Sequence, residues 1–319
     1  MSAAFPAERF ARAVSVWLYA MRPRTLPLSA AGMVCGGMIA WQQQHFQAAV
    51  FVLSLITAML LQIFSNLAND YGDWQNGADN NRRNPPRVLA SGWLNERQMW
   101  QGLLVCGLLC VFSGIGLLMI ALPTHLSGSL ILWAVWLMLG GSALWAAWHY
   151  TAGHRPYGYR GLGDLAVWLF FGLLAVSGSV YLQGASLNAQ TWVLANGMGL
   201  WCAAVLNINN MRDINGDLAA GKHTIAARLG LHKAAFIYHP ALLVGGAVCW
   251  LFWLWRSLSA VAALIGFAVL SICVFWLSRR LYCAVCSSDA ADFNPLLAAT
   301  SLFILGWVLL AWAWVLLLV

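Results

Sequence analysis

Charge is what this chain has least of. Only 8% of its 319 residues are Asp, Glu, Lys or Arg, against roughly 25% in soluble domains. A soluble fold so poor in charge has no means of covering its surface. With 61% hydrophobic residues and a mean hydropathy of +0.73, the bilayer is the natural solvent. A disulfide framework is also missing. Cys35, Cys106, Cys110, Cys202, Cys249 and Cys273 fall inside apolar runs, where a thiol is a small buried hydrophobe. Cys283 and Cys286 form one CxxC without the further ligands a zinc site needs. The start of the chain lacks a cleavable signal pattern, since Glu8, Arg9 and Arg12 interrupt its apolar positions. Residues 1–20 read either as an amphipathic helix on the membrane surface or as a polar tail. The net charge of +7 comes from bases scattered through short loops, which gives no case for nucleic acid. Linkers and low-complexity stretches are absent too, so residues 1–319 read as one integral-membrane domain.

What the chain does have is apolar runs. A span needs about 20 residues at about 1.5 Å rise each to cross about 30 Å of hydrocarbon. Nine runs qualify, at approximately 26–41, 47–69, 98–122, 126–150, 162–183, 190–211, 234–255, 258–278 and 295–318. The fold class is therefore an all-α bundle of nine transmembrane helices. Of the 17 Lys and Arg, all but Arg256 map to one side of the bundle. The positive-inside rule makes that side cytoplasmic, with the N-terminus on it and the C-terminus opposite.

The 10 acidic residues map to that same side. Orientation does not require this, because acids contribute little to it. Span two ends in SNLANDYGD, where Asn66, Asn69, Asp70 and Asp73 share one face if the helix continues. Span six ends in LNINNMRDINGD, where Asn210, Asp213 and Asp217 share a face with Asn209 beside it. Carboxylates are disfavoured both at a helix C-terminus and at the membrane boundary. Two matched clusters of oxygen donors are relieved together by a hard divalent cation. Mg²⁺ typically binds through one or two carboxylates plus substrate phosphates. Bases follow each cluster: Arg82, Arg83 and Arg87 after the first, Lys222, His223 and Arg228 after the second. Lys222 and Arg87 are the candidates for phosphate contact. The loop YTAGHRPYGYRGLGD brings Tyr150, Arg155, Tyr157 and Asp164 to the same side. Arg22 and Arg24 precede span one, where they either bind an anionic acceptor or anchor the helix at the interface. Acids in spans also mark ion paths in transporters, but transporter sites usually lie near the midplane.

The paired motifs resemble those of the UbiA-type superfamily of intramembrane prenyltransferases. NDYGD, with Asp79 beyond it, looks like the first Asp-rich motif, and RDINGD like the second. Gly77 stands where many members carry a third acid. NLANDYGD, RPYGYRGLGD and GKHTIAARLG are similar to the branch that uses 1,4-dihydroxy-2-naphthoate. The resemblance implies transfer of a polyprenyl group from polyprenyl diphosphate to the naphthoate, with loss of carbon dioxide. It further implies Mg²⁺ held by Asp70 and Asp73, helped by Asn66 or Asn69, and by Asp213 and Asp217, helped by Asn210. Lys222, Arg87 and Arg155 would absorb leaving-group charge, and Arg22, Arg24 and Asp164 would position the acceptor. Another aromatic acceptor, such as 4-hydroxybenzoate, stays open. On this reading Asp70→Ala and Asp213→Ala each abolish prenyl transfer while the protein still inserts. Normal turnover by either variant in membranes would contradict the metal-cluster reading.

Overall fold

A computed structural model describes residues 14–78, 86–122, 129–287 and 289–318. Asp79, Arg82 and Arg83 lie outside these, as do residues 1–13 of the expected surface helix. The described residues form helices and connecting turns, with no strand among them. The long helices are α1 (Leu26–Gln42), α2 (Ala48–Gln75), α3 (Glu96–Ala121) and α4 (Ser129–His149). They continue with α5 (Gly163–Leu182), α6 (Ala189–Ala219), α7 (Ile225–Ser257), α8 (Ala260–Ser287) and α9 (Phe293–Leu318). Eight of these are long and apolar enough to cross a membrane. The remaining one, α1, has 17 residues, and most of them are buried in the protein.

Each expected run finds its helix. Several run past the expected bounds: α7 starts at Ile225 rather than 234, α8 ends at Ser287 rather than 278, and α2 and α6 pass 69 and 211 to reach Gln75 and Ala219. Both acidic motifs therefore sit on helix, so Asn66, Asn69, Asp70 and Asp73 do share a face.

Water is absent from the bilayer core, so helices there associate by close packing of small residues. The α5–α6 crossing depends on this. A Cβ on Gly172 would lie 2.4 Å from the Gly199 Cα, and one on Gly199 would lie 2.6 Å from the Trp168 ring. Here α5 widens into a π-helical stretch, Trp168–Leu174, of the kind common at functional sites. α1 meets α5 in the same way, with Gly36 against Ser179. Behind α6, Trp201 stacks on Trp250 with ring centroids 5.8 Å apart. Buried polar groups pair across helices. Ser29 of α1 donates to Gln62 of α2 at 3.2 Å, and Gln62 donates to Asn66 at 3.1 Å. This ladder ties α1 to α2 just below the acidic end.

Adding a methyl group at the backbone contact between α5 and α6 forces the helices apart. Gly172→Ala is expected to destabilise the protein by about 1–3 kcal/mol, the usual cost of overpacking. Gly116→Ala, whose Cβ meets nothing within 4 Å, should be neutral. Thermal midpoints in detergent check the pair, and equal midpoints would sink this account of the crossing.

Candidate active site

The acidic ends of α2 and α6 meet. Lys222 Nζ lies 3.7 Å from Asp73 Oδ1 and 3.5 Å from Asp217 Oδ1. These separations exceed hydrogen-bonding distance, so the attraction is ionic. The Arg87 guanidinium lies 3.7 Å from the other Asp73 oxygen. All four side chains are buried.

Local sequence places the lysine. The run DLAAGK ends α6 in a Schellman motif: Gly221 takes φ +71°, its N–H donates to the Leu218 carbonyl, and Lys222 N–H donates to the Asp217 carbonyl at 2.7 Å. That turn folds the lysine back over the acid five residues earlier. The next residue, His223, donates its backbone N–H to the Tyr159 carbonyl at 2.8 Å, docking the loop after α4 onto the loop after α6. Arg228 supports the joint by donating to the carbonyls of His223 and Arg160. Tyr159 then donates its hydroxyl to Asp73 Oδ1 at 3.2 Å, and its ring lies 5.4 Å from the Lys222 ammonium. On the α2 side, Gly72 admits the Thr151–Ala152 backbone, which a Cβ would approach to 2.5 Å. Asn76 fastens this contact by donating to the Thr151 carbonyl at 2.7 Å.

A cavity of about 290 Å³ opens below this mouth. Its polar end carries Arg22, Asn66, Asn69, Asp73, Arg87, Tyr150, Tyr157, Asn210 and Lys222, and its other walls are mostly apolar side chains from α1, α2, α4, α5 and α6, with Leu297 of α9. Not every expected residue reaches it. Asp70 is buried beside the cavity; the Val88 N–H donates to one oxygen at 3.4 Å, and the other has no hydrogen-bond partner among the described residues. Asp213 lies behind the wall, where Arg212 grips it with two bonds of 2.8 Å and also reaches Asn209 and Asn294. Asp164 accepts from the Tyr238 hydroxyl of α7 at 3.0 Å, outside the cavity lining. Arg24 and Arg155 are exposed and are not brought to the cavity. Asn66 spends its amide on the Met21 carbonyl and Thr25, holding the entry to α1. Asn69 accepts from Thr151 at 3.1 Å.

Burial pushes the Tyr150 phenol well above its ordinary range, and Tyr157 up to about 12. Both hydroxyls therefore stay protonated; that of Tyr157 donates to the Ala146 carbonyl at 2.9 Å. Sequence reading missed Tyr159 and Thr151. Both lie in the YTAGHRPYGYRGLGD stretch, but its turns decide which tyrosine faces the acids.

The donor set is oxygen-only at its acidic end. Among the described residues no three acids or histidines converge into a closed metal cradle. That fits a cation such as Mg²⁺, which takes few protein carboxylates and completes its shell with phosphate oxygens and water. The Asp70 oxygen that has no hydrogen bond among the described residues is of the hard type such an ion takes.

The model of the UbiA prenyltransferase family matches residues 30–300. The chain belongs to the UbiA prenyltransferase family. It is 40% identical over 306 residues to the 1,4-dihydroxy-2-naphthoate octaprenyltransferase of Escherichia coli, covering 93% of this chain and 96% of that one. It is 35% identical to the Mycobacterium tuberculosis protein of the same name, over 77% and 82% of the two chains. Among solved structures, a UbiA homologue from Aeropyrum pernix superposes with a TM-score of 0.64 at 18% identity, covering 92% of this chain and 97% of that one. A homologue from Archaeoglobus fulgidus, bound to GPP and Mg²⁺, superposes with a TM-score of 0.63 at 14% identity, covering 93% and 99%. These two likenesses extend the family assignment to the fold.

Lys222 in this UbiA-family site compensates two buried carboxylates. Removing one partner of a buried ion pair typically costs about 3–5 kcal/mol. Lys222→Met is thus expected to lower the thermal midpoint in chelator, and to show a larger rise on adding Mg²⁺ than the parent protein. An unchanged midpoint in chelator would mean that Lys222 does not hold the two helices together.

Proposed function

We propose that the chain transfers a polyprenyl group from a polyprenyl diphosphate to 1,4-dihydroxy-2-naphthoate, with release of carbon dioxide and diphosphate, to give the hydroquinone (reduced) form of demethylmenaquinone. The carrying observation is the Lys222 ammonium between Asp73 and Asp217. It brings both acidic motifs to one mouth, and an apolar cavity continues beneath. The relatives' shared name supports the naphthoate as acceptor. The Archaeoglobus structure with GPP and Mg²⁺ supports a magnesium-bound diphosphate as donor. We further take all nine helices as spans of an inner membrane, with the mouth cytoplasmic. The placement of the bases supports this orientation.

The residues divide the work by position. Asp70, Asp73, Asp213 and Asp217 are the ligands for Mg²⁺, which when bound supplies Lewis-acid stabilisation of the departing diphosphate. Lys222, Arg87 and Arg22 face the same volume and neutralise charge that grows on the leaving oxygens. Tyr159 orients the Asp73 carboxylate through its hydroxyl. As the carbon–oxygen bond of the donor breaks, the allylic carbon becomes cation-like. Phe170 and Phe171 line the cavity below it, where aromatic rings can stabilise a cation and exclude water that would capture it. The protonated hydroxyl of Tyr150 is a hydrogen-bond donor for an acceptor oxygen, while Tyr157, whose proton goes to the Ala146 carbonyl, can only accept. The electron-rich ring attacks the allylic carbon, and the acceptor gives up its carboxylate as carbon dioxide. A covalent enzyme intermediate is unnecessary.

Purified protein given octaprenyl diphosphate, the naphthoate and Mg²⁺ should release carbon dioxide in step with prenylated product. Excess chelator should stop both. Preferential turnover of 4-hydroxybenzoate would make the acceptor wrong. Solute flux from vesicles with no prenyl transfer would overturn the enzyme reading altogether.

A further inference from the structure

A second cavity, of about 420 Å³, lies in the seam between α7 and α8. None of its lining residues reaches the cavity below the acidic mouth. Its edges, Val244, Val248 and Phe275, are exposed, and its floor, Ala247 and Leu270, is buried. Packing explains the opening. Helices in lipid are held by close approach of small residues, and α7 spends its own on α6. A Cβ on Gly246 would run into the Trp201 ring, and one on Gly197 of α6 would lie 2.7 Å from the Cys249 Cβ. α8 is joined to α7 at either end of the seam. Near the turn between them, a Cβ on Gly266 would meet Leu254 at 2.9 Å. On the side of the acidic mouth, the Phe236 and Tyr282 rings lie 6.0 Å apart. Between these junctions the groove intervenes.

Depth and charge say what fits. Along α8 the lining runs from Phe267 to Ser278, about 16 Å at helical rise. That is close to half of the roughly 30 Å hydrocarbon layer, the depth of one leaflet. Arg279 follows directly, inside α8 and about two turns before its end at Ser287. It shares a helical stripe with the groove residues Phe275 and Ser271. Lys233 of α7 stands three residues before Phe236, at the same end. Both bases are exposed, and neither makes an ion pair among the described residues. The seam is thus an apolar groove of one-leaflet depth with uncompensated bases at its boundary end. A neutral chain would use only the groove. An anionic phospholipid uses both parts, since bases near the membrane surface attract such headgroups.

We infer that the α7–α8 seam binds an anionic phospholipid, with one acyl chain against Ala247, Leu270 and Ser271 and the phosphate between Arg279 and Lys233. The chain fills the space that the two helices leave open, and the headgroup neutralises bases that no acid of the protein meets. The site is separate from the reaction assigned above and does not depend on it.

The test uses phosphatidylglycerol and phosphatidylcholine, each with a diazirine midway along one acyl chain, on the full-length protein in phosphatidylcholine nanodiscs. Phosphatidylglycerol should label the groove residues of α7 and α8 in preference to phosphatidylcholine, a comparison that needs no variant. Arg279→Gln should lower that preference about fivefold, the worth of one base at the membrane surface. Ser271→Trp, which fills the groove, should remove labelling there by both lipids. Equal labelling by the two lipids in the parent protein, or labelling that spares α7 and α8, would overturn the proposal. So would displacement of the label by octaprenyl diphosphate, which would make the groove an isoprenoid site. Cross-links between two copies through α8 in place of lipid adducts would assign the seam to a second chain and equally defeat it.

Discussion

The structure depends on one buried ammonium held between two carboxylates that lie far apart in the chain. Lys222 sits within 4 Å of both Asp73 on α2 and Asp217 on α6. Without a cation there, two like charges would face each other in a poorly solvated cleft, and the helix ends would separate. Two other contacts hold the lysine in place. The Schellman turn at Gly221 aims its backbone, and the Tyr159 ring lies beneath its charge. Since the Tyr159 loop is itself pinned to His223 and Arg228, the loops after α4 and α6 form one unit with the end of α2. The mouth of the cavity is thus assembled by short polar contacts at the membrane boundary, and its apolar body by glycine-mediated helix contacts below.

Much of this could be read from residues in order. Hydropathy located every long helix, because each must bury or expose apolar surface over a bilayer's thickness. The spacing of Asn66, Asn69, Asp70 and Asp73 gave their common face once α2 ran on to Gln75. What hydropathy does not encode is which helices neighbour one another, so the meeting of α2 with α6 had to come from the fold. The same holds for side-chain direction in turns. Arg22 and Arg24 flank Pro23 and look alike in sequence. The backbone takes φ +51° at Arg22 and then winds into a tight turn, which leaves Arg22 on the cavity and Arg24 exposed. Arg155 and Tyr157 part company in the same manner within a loop rich in glycine.

The two acidic motifs look like repeats, but their surroundings make them unequal. Asp70 takes a long contact from the Val88 amide and lies in the field of Arg22, and one of its oxygens finds no hydrogen-bond partner among the described residues. Asp213, its counterpart, is clamped by a guanidinium that also reaches Asn294 at the start of α9. An Arg next in sequence to the acid, in MRD, creates that difference. The first motif therefore keeps one oxygen without a hydrogen bond among the described residues, whereas the second is partly engaged in tying α6 to α9.

Charge balance ties these observations to the proposed chemistry. Asp70, Asp73, Asp213 and Asp217 are matched in number by Arg22, Arg87, Arg212 and Lys222. Buried pairs of this kind add little net stability, because desolvation offsets most of their attraction. Their value lies in keeping the mouth nearly neutral. A bare diphosphate entering such a site would have to draw bases away from their carboxylates and leave those acids uncompensated. A diphosphate arriving with divalent cations would impose no such loss, since cations held by the acids would leave the bases to meet its oxygens. Neutrality before binding and neutrality after it are then the same condition. A site made of acids alone or bases alone could not meet it at a membrane boundary.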